Sequence, residues 1–168
     1  MRVRNAYKLW VALLLLPLLA GCTQTDDVEA IFGKTWKLTY ITLDGKHEMY
    51  DFWNRDGEAY NESMKQLAYA QTYILQFNGL ATGENIKGTL SGTTINSTTY
   101  SGSWSANGRT NAFKAAATGG RTSDLLTTKY MEGLTTATSY EGDKNNLFLI
   151  YTPAGSSQTF RMCFKAID

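Results

Sequence analysis

The chain has 168 residues, with 16 Lys and Arg against 15 Asp and Glu, one histidine and two cysteines. Scattered charges that nearly cancel argue against nucleic acid, which needs a concentrated cationic face, and so few Cys and His residues provide no metal-ligand spacing. The part of the chain beyond residue 21 is the size of one ordinary domain, able to bury about two-thirds of its unfolded surface.

Arg2, Arg4 and Lys8 lead into the apolar run 9–19, which closes in Leu19-Ala20-Gly21-Cys22. A basic start, an apolar middle and small residues at the cut describe a secretory signal. The run is about 11 residues long, short of the roughly 20 that a spanning helix needs. The ending resembles a bacterial lipobox, which implies cleavage before Cys22 and acylation of its sulfur; an ordinary signal peptide and an uncleaved membrane helix are the alternatives. The expected division is a signal over 1–21, a lipidated cysteine and flexible tether over 22–30, and a single β-rich domain over 31–168. Without the three leader cations the 15 acidic residues leave a net charge of −2. Thr23 after the cysteine implies sorting to the outer membrane. Asp26 and Asp27 resemble the surface-export signal of Bacteroidetes lipoproteins, so the periplasmic and cell-surface faces both stay open. With Cys22 assigned to lipid, Cys163 is expected as a small buried residue of the last strand.

In chain order, 35–42 alternates Trp36, Leu38 and Tyr40 against Lys37 and Thr39, the period of a half-buried strand. Asp44-Gly45 then supplies a turn. Tyr60, Met64, Leu67 and Ala68 share one face of a helix over 58–70. Gln71–Phe77 reads as a strand ended by Asn78-Gly79. The Gly, Thr and Ser-rich stretch 80–120 places Leu90, Tyr100, Trp104 and Phe113 between turn signals, which favours short strands over disorder. Ser123-Asp124 offers a cap to a second helix, on which Leu126, Tyr130 and Leu134 stack. Strands over 137–141, 146–151 and 159–164 finish the chain. The fold class expected is α+β, mainly antiparallel β, a barrel-like meander with two short helices.

No set of catalytic residues is legible. A nucleophile would need His47, the only histidine, as its base, and no Gly-x-Ser-x-Gly elbow surrounds any serine. Asp51, Asp56, Glu58 and Glu62 are crowded into one segment, which does not set two carboxylates across a substrate. The segment around Asp56-Gly57 lacks two of the carboxylates of a calcium loop. No metal and no cofactor is expected. The most unusual composition is 47–55, where His47, Tyr50, Phe52, Trp53 and Arg55 interleave rings with polar groups. These five are the candidate surface for a ligand or partner; the alternative is that the rings plug one end of the barrel.

Gly33-Lys-Thr-Trp36, Phe77-Asn78-Gly79, Tyr100-Ser-Gly-Ser-Trp104, Tyr130-Met-Glu-Gly-Leu134, Ala137-Thr-Ser-Tyr140 and Thr159-Phe-Arg161 occur in an order that resembles the META domain of HslJ-type lipoproteins. That resemblance implies a filled barrel and an accessory role in the envelope. The chain is also similar to small lipocalin-like lipoproteins of Bacteroidetes, which implies an interior that holds a ligand. The function expected is a non-enzymatic outer-membrane lipoprotein, attached to the membrane by its lipid and binding an envelope protein or glycan. A carrier of a small apolar or glycan ligand is the alternative, and a glycan-active enzyme a further one.

Overall fold

The computed structural model describes residues 24–167; Cys22 and the leader lie outside them. Helix α1 (Gln24–Phe32) precedes strand β1 (Thr35–Leu43), and helix α2 (Gly57–Ala68) follows it. Then come β2 (Ile74–Thr82), β3 (Asn85–Thr93), a single 3-10 turn (Ile95–Ser97), β4 (Thr99–Asn107) and β5 (Phe113–Gly119). Helix α3 (Leu125–Thr136) leads into β6 (Ala137–Gly142), β7 (Asn146–Tyr151) and β8 (Phe160–Ala166). All pairings are antiparallel, in the order β5-β4-β3-β2-β1-β8-β7-β6. The outer strands approach each other through one bridge, Ala112 to Ser139, and the Tyr140 N–H on the Asn111 carbonyl at 3.0 Å. No continuous ladder joins them, so the barrel-like meander stops short of closure.

Antiparallel strands alternate in direction, which sorts every connection to one of two ends. At the end where β1 begins, here the proximal end, lie α1, the β2–β3 and β6–β7 turns, the β4–β5 connection and the chain after β8. The distal end carries the segment 44–56, α2, the 3-10 turn and α3.

Both ends are plugged. Segment 24–30, expected as part of a flexible tether, belongs to helix α1, and Val28, Ile31 and Phe32 are buried. Phe32 meets Phe77, Trp104, Phe113 and Tyr140 at ring-centroid distances of 5.0, 4.5, 6.0 and 4.9 Å. Rings arriving from four strands give the short helix a partner that its polar first half does not advertise. The Trp36 indole N–H also donates to the Ile31 carbonyl at 3.0 Å. At the distal end α3 turns Leu126, Tyr130, Met131 and Leu134 inward, all fully buried, as its spacing predicts.

Three local expectations change. A β-bulge after Leu38 shifts the register of β1 against β8, so Ile41 and not Tyr40 shares the inner face with Trp36 and Leu38. Strand β2 begins at Ile74 and runs through Asn78-Gly79 to Thr82, with Gly79 opposite Gly88. On α2 the buried positions are Ser63 and Leu67; Tyr60 and Ala68 are exposed. Glycine in β3 has a packing reason: a Cβ at Gly92 would strike the Tyr100 ring and the Ile74 carbonyl. Tyr100 lies across that gap and donates to the Ile74 carbonyl at 2.7 Å.

Candidate functional site

The distal end is organised by two capped helices. Asp51 accepts from the Trp53 and Arg55 N–H groups, each at 3.0 Å, bending the chain into the left-handed conformations of Asn54 and Arg55. Asp56 then caps α2 by accepting from the Glu58 and Ala59 N–H groups at 3.2 and 3.1 Å. Asp124 caps α3 in the same way, taking the Thr127 N–H at 2.7 Å.

Asp124 also ties the two helices and the barrel together. Its Oδ1 accepts the Ser63 hydroxyl at 2.6 Å, and Ser63 Oγ in turn accepts the Trp53 indole N–H at 3.1 Å. Its Oδ2 accepts the Tyr73 hydroxyl at 2.9 Å. The Tyr73 proton is thereby committed, so Thr127 Oγ1, 2.9 Å away, donates to the Tyr73 oxygen. Tyr73 holds a φ of 52°, unusual for a bulky side chain, and is fully buried. A second chain runs from the Tyr130 hydroxyl to that of Tyr100 and on to the Ile74 carbonyl.

Burial sets the proton affinities of this interior. It raises Tyr73, Tyr100 and Tyr130 far above the ordinary tyrosine value, and raises Tyr151 with help from Glu132. Burial lowers Lys37 to about 8. Its ammonium donates to the Leu67 carbonyl at 2.8 Å and to the Thr72 carbonyl and hydroxyl, closing the C-terminal end of α2.

Between these elements opens a cleft of about 480 Å³, lined by residues of the 52–56 loop, α2, the 3-10 turn and the start of α3. Phe52, Trp53, Ile95 and Leu125 supply its apolar surface; Asn54, Glu62, Gln66, Asn96 and Ser123 supply polar groups. Among the described residues no Lys or Arg lines it, and Asp56, Glu62 and Asp124 do, which disfavours an anionic ligand. Asn54 and Asn96, both left-handed, also line it.

The five sequence candidates separate here. Phe52 and Trp53 line the cleft, and Trp53 is buried with its indole bonded beneath it. Tyr50 is half-buried, 4.9 Å from the Phe52 ring and 5.1 Å from that of Phe160. His47 and Arg55 are exposed and do not line it. The cap by Asp124 is legible in the sequence. Its bond to Ser63, 61 positions earlier, is not, and neither is the arrival of Asn96 at the same cleft as Asn54.

Other chemistry weighed from the sequence finds structural roles. Cys163 is buried on β8, and burial pushes its thiol up to about 11, the reverse of an activated nucleophile. Among the described residues no cluster of three or more His, Cys, Asp or Glu is placed to hold a metal ion. The apolar interior that a carrier would keep open is filled by Phe32, Phe77, Trp104 and Phe113 toward one end and Tyr73, Tyr100 and Tyr130 toward the other. No helix among the described residues is long and apolar enough to cross a membrane.

The fold has a counterpart among solved structures. A crystal structure of a DUF4847 family protein from Bacteroides vulgatus matches with a TM-score of 0.57 and 24% identity, over 82% of this chain and 96% of that one. At that identity the likeness concerns the fold alone. No curated protein matches the chain. Neither the META/HslJ name nor the lipocalin name is carried by the matches found. The model of the family described as "Domain of unknown function (DUF4847)" matches residues 23–166, nearly the whole described domain, and the chain belongs to that family.

Proposed function

We propose that this protein is a non-enzymatic, lipid-anchored binding module of the outer membrane that meets its ligand or partner at the distal cleft. The observation that carries the reading is the position of that cleft. It lies at the end of the barrel opposite α1, the helix that follows Cys22, so an anchored domain would hold it clear of the bilayer. The filled interior favours binding on the outside of the fold over carriage within it. The carboxylates nearest the cleft already have other partners: Asp56 and Asp124 cap helices, and Glu62 accepts from the Gln66 amide at 2.9 Å. Those commitments support a binding role over acid–base catalysis.

The test uses an exposed residue on the cleft wall. Ala59→Arg places a long cation into the cleft from a helical position that tolerates it. Recovery of a partner from native outer membrane by the parent protein, and its loss in this variant with an unchanged melting temperature, is the expected result. A partner retained in full by the blocked variant would refute the assignment of the cleft.

A further inference from the structure

We infer that the proximal end of the barrel rests on the membrane surface, with Leu80 and Ile167 entering the lipid interface. The inference depends on acylation of Cys22 and extends it from an attachment to an orientation. Only Thr23 separates Cys22 from Gln24, the first residue of α1. Two extended residues span about 7 Å, and a nine-residue helix about 13 Å. Helix α1 is itself fastened to the barrel by Val28, Ile31 and Phe32. Acyl chains on Cys22 would therefore hold the proximal end within roughly 20 Å of the bilayer.

That end carries the unpartnered aliphatic surface. Of the four large hydrophobic side chains that are exposed among the described residues, Tyr60 (37%) and Tyr69 (45%) belong to α2 and its end, in the distal half. The two aliphatic ones, Leu80 (81%) and Ile167 (53%), are both proximal. Leu80 lies on β2 near its turn into β3, and Ile167 follows β8 with its N–H on the Thr35 carbonyl at 3.1 Å. Strands β2 and β8 flank β1 in the sheet, so the two side chains stand on either side of the α1–β1 junction. Leu80 also shares a surface hollow with Glu29, Phe32 and Gly33 of that junction. In lipid they lose water contact they cannot use, which favours this orientation by a factor on the order of 50. Charges nearby are mixed, with Arg109 paired to Glu84 at 3.5 Å, so the contact is apolar and insensitive to salt.

The orientation is read in vesicles of phosphatidylethanolamine and phosphatidylglycerol carrying the mature acylated protein. A fluorophore is attached at Thr82→Cys on the proximal turn or at Lys65→Cys on α2, both exposed positions. Cys163, buried and with a raised thiol pKa, stays unlabelled in the folded protein. Nitroxide-bearing lipids should quench the label at 82 several-fold more than the label at 65, at low and high salt alike. Adding Leu80→Ser with Ile167→Ser to the Thr82→Cys protein should remove most of that difference. Acylated, vesicle-bound protein quenched equally at both positions, or more strongly at 65, overturns the orientation alone. Quenching at 82 that the double serine substitution leaves unchanged overturns the role of the two side chains. Protein that carries no acyl chain and stays off the vesicles overturns the anchor, and the orientation with it.

Discussion

Phe32→Ala separates a packed helix from a tether. Phe32 is 2% exposed and touches four aromatic rings. Returning a phenylalanine side chain to water forfeits about 2–3 kcal/mol of transfer free energy. Edge and face contacts with Phe77, Trp104, Phe113 and Tyr140, together with the cavity left among them, raise the expected loss to about 3–5 kcal/mol. For a domain of this length that corresponds to a fall in melting temperature of roughly 10–15 °C. The measurement is urea and thermal unfolding of Cys22→Ser protein, with Leu80→Ala as an exposed comparison expected to change stability by less than about 0.5 kcal/mol. A loss under about 1 kcal/mol for Phe32→Ala would mean that α1 contributes no packing, and the account of a plugged proximal end would fall.

Alkaline pH should unfold the protein steeply. Tyr73, Tyr100, Tyr130 and Tyr151 have native pKa values raised above the unfolded value near 10, so the native state retains protons that the unfolded chain releases. Their stabilisation is complete below about pH 10 and is lost above it, by up to roughly 5 kcal/mol per pH unit for four groups. Lys37, lowered to about 8, acts in the opposite sense, so stability should first rise slightly between about pH 8 and 10. Tyrosinate absorbance that develops gradually, without a cooperative unfolding step, would contradict this. Asp124→Ala strands the Ser63 and Tyr73 hydroxyls and the Thr127 N–H, and should destabilise by about 3 kcal/mol or more in urea unfolding. Tyr151→Phe removes a buried hydroxyl that has no hydrogen-bond partner among the described residues, and should leave stability unchanged or raise it by up to about 1 kcal/mol. Palmitate labelling of the full chain should disappear in Cys22→Ser; label retained in that variant would refute acylation at Cys22.

Where periodicity depends on neighbours in the chain, the sequence by itself determined the structure. Leu126, Tyr130 and Leu134 announce α3, β7 has its expected bounds, and those of β8 differ by one residue at the start and two at the end. The glycine-rich stretch 80–120 is legible as strands because large residues recur between its turn signals. Only the tertiary structure decided the rest. The bulge in β1 depends on how β8 pairs with it, and it sends Tyr40 outward and Ile41 inward. Helix α1 forms on a segment whose own composition suggests a tether, because Phe32 finds four rings brought from β2, β4, β5 and β6. The cleft is likewise non-local: the aromatic loop 50–55 is conspicuous in the sequence, but Asp124, Ser63 and Asn96 reach it from separate segments. Side-chain spacing encodes which face of an element is apolar, whereas contacts across tens of residues exist only once the sheet has curled and its ends have been filled.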